Sequence, residues 1–227
     1  MMDIKLSPPG GSLSVLCLGA HSDDIEIGCG GTILKILKSH TNAEFFWVVF
    51  GAKGNRKKEA EASAKAFLAG AAKRTVVIHD FRDGFFPFVG DTIKDSFESL
   101  KRDISPDLIL THYRSDLHQD HRLISDLTWN TFRDHLIWEY EIPKYDGDLG
   151  TPNVYVHLDP AVCRTKVRYL RKYFPSQADN QWFTEATFMA LSRIRGIESN
   201  APRGQAEAFY CRKMVAAATD NLRSKPA

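Results

Sequence analysis

Two short polar runs contain the residue types that could do chemistry: His21-Ser22-Asp23-Asp24 near the start of the chain and His118-Gln119-Asp120-His121 near its middle. Adjacent carboxylates beside an imidazole repel one another, which raises the pKa of one of them. A divalent cation offsets that repulsion and lets both stay ionised. Such a cation acidifies water and polarises a carbonyl, which is the chemistry these residue types could support. Taken singly, each run has a plainer reading. Asp23 or Asp24 would cap a helix, and two histidines three apart would be solvated or satisfied inside a core. Whether the runs form one site depends on the elements between them.

Those elements alternate. Apolar, β-branched runs at 14–20, 45–50, 75–80 and 107–111 read as strands. Helical patterns occupy 32–39, 57–71 and 93–104; the second places Ala60, Ala64, Phe67 and Leu68 on one face. A further helix is expected over 123–136, then one or two extended segments within 138–159 broken by Pro143, Gly147, Gly150 and Pro152, forming a peripheral β-element over the site. Helical patterns return at 160–174 and 184–195, and a short stretch over 206–214 closes the chain. Strand, helix, strand in repetition favours a parallel sheet with right-handed crossovers, an α/β fold of Rossmann-like three-layer αβα type with a mostly parallel sheet. In such sheets ligands bind beyond the carboxyl ends of the strands. The segments from His21 to Gly31 and from His112 to His121 should then share one edge. There, His21, Asp24 and His121 would make two imidazoles and one carboxylate with a fourth position open, the set expected of a catalytic zinc.

Composition is consistent with this. The 227 residues, 43% hydrophobic and 26% charged, are read as one domain over 1–227 with about the first ten and last eight residues as loose ends. With 30 basic and 28 acidic side chains the charge is too balanced to point to nucleic acid, and a small molecule is the expected partner. No stretch approaches the roughly 20 apolar residues of a membrane span, and the N-terminus lacks the pattern of a secretory signal, so a cytoplasmic location is expected. Cys17, Cys29, Cys163 and Cys211 form no CxxC pair and are read as reduced, mostly buried thiols.

The run AHSDDIEIGCGGT resembles the AHPDDxExGxGGT signature of the LmbE-like or PIG-L family of zinc-dependent N-acetylglucosaminyl de-N-acetylases, and LHQDHR resembles that family's HPDHR segment. The likeness continues through Arg56-Lys57-Lys58-Glu59, Asp83-Gly84 and RGIESNAPRGQAEAF, and so covers nearly the whole chain. It implies zinc, or Fe²⁺ or Co²⁺ in its place, on His21, Asp24 and His121, with Asp23 as general base. His118 would stabilise or protonate the reacting groups, with Asp120 orienting it, while Arg56 and Asp83 contact the sugar. The substrate implied is an amino sugar, free or linked to a lipid or nucleotide, with a homo-oligomer as one possible assembly. Ser22 departs from the family's proline, and Asp116 stands where some relatives carry a carbonyl-polarising tyrosine, so a tyrosine in that role comes from Tyr113 or Tyr145 or is absent. Cys29, at a predicted helix start, is not read as a ligand. Glu26 is read as a partner behind the metal or a helix-start acid, and Phe85, Phe86 and Phe88 as cleft wall or core.

Three rivals remain at this point. The same metal site would serve another N-acyl or thiol-conjugate amide, or an O-acetyl ester. The glycine-rich GCGGT turn suggests a nucleotide-binding module, although its spacing is not GxGxxG and acidic residues precede it. The last is metal binding without catalysis.

Overall fold

A computed structural model describes residues 1–6 and 11–216; residues 7–10 and 217–227, which take in part of the expected N-terminal loose end and all of the C-terminal one, lie outside the described residues. The strand β1 (Ser14–His21) sends Val15 and Cys17 into one apolar layer and Leu16, Leu18 and Ala20 into the other. A strand apolar on both sides must be covered on both sides, as in a central strand of a parallel sheet. It pairs in parallel with β2 (Glu44–Gly51) and β4 (Leu108–His112). Outside these lie β3 (Lys73–Ile78) and β5 (Leu136–Tyr140), also parallel. The sheet is completed antiparallel to β5 by β7 (Ala206–Tyr210), with β6 (Val154–His157) at the edge, giving the order β3-β2-β1-β4-β5-β7-β6.

Helices cover both faces. On one, α1 (Asp24–Ser39) packs against α2 (Asn55–Phe67) and α5 (Pro160–Tyr173), and α5 against α6 (Glu185–Glu198). On the other, α3 (Gly90–Asp103) packs against α4 (Gln119–Thr131). The result is the expected three-layer sandwich with a mostly parallel sheet. Strand order reverses between β1 and β4, so the crevice beyond their carboxyl ends is the switch point where open α/β sheets bind ligands. His21 ends β1 and His112 ends β4. Among the described residues no helix is long and apolar enough to cross a membrane.

Two elements differ from expectation, and a third, the closing stretch over 206–214, had no type assigned from the sequence. The helix expected over 123–136 stops at Thr131, and Leu136 starts β5, where Ile137 and Trp138 enter opposite apolar layers, a period-2 pattern that only the sheet can use. The closing stretch is strand β7 over its first five residues. Helix α1 starts at Asp24 instead of Thr32, so the glycine run lies inside it. Close packing explains the glycines. A Cβ at Gly28 would lie 2.1 Å from the Tyr140 ring, and one at Gly31 2.6 Å from Leu158.

The same stretch of α1 is held by a buried ion pair. The N–H groups of Gly31 and Thr32 donate to the Glu207 carboxylate at 2.8 and 2.6 Å, and Lys166 Nζ donates to Ile27 O and to Glu207, each at 2.6 Å. Side chains thus enter the helix's own hydrogen-bond ladder and clamp the helix that begins with Asp24 against β7 and α5.

Candidate metal centre

The turn from β1 into α1 brings His21 and Asp24 together, and the first turn of α4 brings His121 across the switch point. His21 Nδ1 lies 3.4 Å from Asp24 Oδ2 and 3.2 Å from His121 Nε2, and His121 Nε2 lies 3.6 Å from Asp24 Oδ2. A tetrahedral zinc with ligands at about 2.0–2.2 Å has donor–donor edges of about 3.3–3.6 Å. The three separations, 3.2–3.6 Å, lie close to those edges. All three side chains are nearly buried. Burial pushes the Asp24 carboxyl up, but the imidazoles of His121, His112 and His21 outweigh it and hold it well below the usual carboxylate range. Burial, aided by His112, pushes His121 down to about 3, so its ring is neutral. The donor chemistry fits a divalent cation of the zinc type.

Each imidazole of the triad has a carboxylate behind it. A ring nitrogen with a free lone pair requires the proton on the other nitrogen. For His21 that other nitrogen, Nε2, lies 3.2 Å from Asp120 Oδ2 and 3.1 Å from Asp83 Oδ1. For His121 it is Nδ1, 2.9 Å from Asp116 Oδ2. Asp116, at the position where some relatives carry tyrosine, thus turns its carboxylate toward a histidine. Tyr113 stacks on Tyr210 with centroids 3.7 Å apart, and Tyr145 is 75% exposed.

Asp23 occupies the N-cap position of α1, yet its side chain makes no capping bond. The plainer reading of this residue therefore fails. Its Oδ2 is buried without a hydrogen-bond partner, while Oδ1 meets Arg56 at 3.5 Å. Burial, and then the charge of Asp24, raises its carboxyl to about 6. Such a group takes and returns a proton near neutrality.

Arg56, in the first turn of α2, spans the rim of the site. Its Nε donates to Ser22 Oγ at 3.1 Å and its Nη1 to Asp83 Oδ2 at 3.3 Å. Ser22, which replaces a proline, thereby supplies an acceptor. Asp83 is half-exposed and its carboxyl is lowered to about 2, chiefly by the His21 hydrogen bond. Gly84 takes φ +80°, a left-handed conformation that suits glycine, and so aims its N–H at Asp120 Oδ2, 2.6 Å away.

Asp120 departs from the expected role. Its carboxylate accepts from Gly84 and Phe86 N–H and faces His21, whereas its backbone N–H donates to His118 Nδ1 at 3.3 Å. The carboxylate orients His21, not His118, because the turn carrying Gly84 and Phe86 supplies the amides it faces. His118 caps α4 through Nδ1, so its neutral ring carries the proton on Nε2 as a free donor, with its centroid 4.8 Å from that of His21 and 4.6 Å from that of His121.

Other expectations resolve by burial. Phe86 is core, while Phe85 and Phe88 are 39% and 79% exposed. Cys29 donates to Ile25 O and stays away from the triad, and all four cysteines are free thiols. Glu26 is fully buried, and burial raises its carboxyl well above the usual range. The glycines of the GCGGT run meet core side chains, and the first turn of α1 is acidic, which is unsuited to phosphate.

Sequence reasoning missed His112 and Lys144. His112 Nε2 accepts the Ala20 N–H at 2.9 Å, and its ring stacks on His121 at 4.0 Å and 18°, forming the floor of the site. Its signal was a histidine ending an apolar strand on the predicted edge. Lys144, reached only through the fold, had none.

Several solved structures share this architecture. The conserved protein TT1542 from Thermus thermophilus superposes with a TM-score of 0.71 at 20% identity, over 93% of this chain and 100% of that one. The N,N'-diacetylchitobiose deacetylase from Pyrococcus horikoshii gives 0.65 at 20% identity, over 87% and 83%. GalB, the 4-carboxy-2-hydroxymuconate hydratase from Pseudomonas putida, gives 0.68 at 18% identity, over 93% and 100%. These likenesses establish the fold, which serves both deacetylation and hydration. Residues 16–132, which hold both polar runs, match the family model described as PIG-L: GlcNAc-PI de-N-acetylase, and the chain belongs to the PIG-L family.

Proposed function

We propose that this protein is a zinc-dependent carbohydrate de-N-acetylase that hydrolyses the N-acetyl amide of a GlcNAc-type amino sugar, free or conjugated, to acetate and a free amine. The observation that carries this reading is the unpartnered Oδ2 of Asp23, buried beside a triangle of His21, Asp24 and His121 donors with zinc-sized edges. Membership of the PIG-L family and the fold shared with a chitobiose deacetylase support it.

His21 Nδ1, Asp24 Oδ2 and His121 Nε2 would hold the ion. Bound there, a divalent cation would polarise the acetyl oxygen and lower the pKa of water from about 15.7 to near 7. Asp23 takes one proton from the attacking water as the new C–O bond forms. His118 donates its Nε2–H toward the oxygen that gains charge, a contribution of about 3–4 kcal/mol for a donor of this kind. Asp23 then returns the proton to the sugar nitrogen as the C–N bond breaks, so the amine leaves neutral. Arg56 holds Asp23 in place and, with Asp83, faces the rim where sugar hydroxyls would dock.

The test is acetate and amine release by purified protein from a panel of N-acetylated sugars, with and without chelation and with zinc, iron(II) or cobalt restored. Amine release that chelation abolishes and metal restores supports the reading. Alcohol release from O-acetyl sugars instead, or hydrolysis only of thiol-conjugate amides, replaces it with those reactions. Turnover unaffected by chelation refutes the metal requirement.

A further inference from the structure

We infer that Asp116 is a positioning residue for the metal ligand His121 and that Lys144 holds it in that role, an inference that rests on the metal reading given above. The two oxygens of Asp116 do separate work. Oδ1 accepts the His118 N–H at 2.8 Å and shapes the turn into α4, while Oδ2 accepts from His121 Nδ1 at 2.9 Å. Only with its proton on Nδ1 does neutral His121 present a lone pair at Nε2, the atom that completes the donor triangle. Asp116 is 2% exposed, so water cannot replace the acceptor it supplies.

Lys144 comes from the segment after β5, a part of the chain remote from both polar runs. Its Nζ donates to Asp116 Oδ2 at 2.9 Å and to Asp148 Oδ2, and Asp148 in turn accepts the Leu117 N–H at 2.7 Å. The ammonium offsets the charge of a carboxylate buried in the same site as Asp23 and Asp24. It also fixes the side from which Oδ2 approaches the ring. The chain Asp148–Lys144–Asp116–His121 thus ties the 144–148 segment to the proposed metal ligand.

The test measures zinc binding to the full-length, metal-free protein by competition with a chromophoric chelator, together with the ring ¹⁵N signals of His121. Asp116→Asn is the informative variant. Its side-chain oxygen can still accept the His118 N–H, so the turn survives, but its amide then faces two donors, His121 Nδ1–H and Lys144. Zinc affinity should fall about 10- to 100-fold, and the Nδ1–H signature of His121 should be lost. Asp116→Ala should fall at least as far, and Lys144→Met should fall in the same direction by less. If Asp116→Ala does not fold, Asp116→Asn decides alone. Wild-type affinity and an unchanged ring signal in Asp116→Asn would overturn the inference while leaving the metal site standing. Failure of the wild-type protein to bind zinc would overturn the metal reading itself.

Discussion

Replacing Asp23 by asparagine should disable the enzyme while stabilising its metal-free form. Burial and the neighbouring Asp24 raise this carboxyl from 3.8 to about 6. At 1.36 kcal/mol per pH unit, the ionised form costs the folded state at most about 3 kcal/mol. The sign follows from the direction of the shift. A carboxyl raised on folding destabilises the native state above pH 6, and that penalty disappears as pH falls from about 6 toward 3.8. Asparagine removes the penalty at pH 7.5 and sacrifices no hydrogen bond at Oδ2, which has none. For a chain of this size the melting temperature of the apo-protein should rise by up to about 6–12 °C, whereas turnover should fall about 10²- to 10⁴-fold for loss of a general base. Scanning calorimetry at pH 7.5 and 5.5, with acetate release measured in parallel on zinc-loaded protein, reads both quantities. The gain in melting temperature should shrink at the lower pH. Wild-type turnover in Asp23→Asn, or destabilisation at pH 7.5, would refute the assignment of Asp23 as an uncompensated base.

Further outcomes follow from the same geometry. His121→Ala removes one corner of the donor triangle and should abolish stoichiometric zinc uptake and activity together, as read by metal analysis after dialysis; retained zinc would point to a different ligand set. Burial lowers His21, but the charge of Asp24 and hydrogen bonds to Asp120, Asp24 and Asp83 outweigh it, so in the metal-free protein this imidazole is raised well above 6.5 and holds a proton at neutral pH. Zinc uptake should therefore expel about one proton and weaken as pH falls, which calorimetry in two buffers of different ionisation heat would detect; no buffer dependence would contradict it. Glu207→Ala leaves the buried Lys166 ammonium without its counter-ion and should cost about 3–5 kcal/mol, or roughly 6–20 °C in melting temperature, with much of the loss recovered in Glu207→Ala/Lys166→Met. A single variant that melts like wild type would show that the pair does not hold α1.

Residue types and spacing were enough to nominate three candidate donors, whose atoms the fold brings within 3.6 Å of one another. His21 and Asp24 are three apart on one turn, and His121 follows an apolar strand that the βαβ pattern assigns to the same sheet edge. Buried parallel strands carry that information locally, because a strand apolar on both faces has few places to go. The boundaries of α1 were less legible. A run of glycines reads as a turn by propensity, yet here it is helical because Tyr140 and Leu158, far along the chain, leave no room for a Cβ.

What the amino-acid sequence determined by itself was the α/β alternation, the shared edge and the chemical kinds of group gathered there. Tertiary structure alone decided how those groups are wired: Asp120 behind His21 and not His118, Asp116 and Lys144 behind His121, and His112 as a floor beneath the ring. The physical reason is range. Periodicity and motif spacing report forces between neighbours in the chain, whereas the partner of a second ring nitrogen is settled by which distant carboxylate the packed layers bring within about 3 Å.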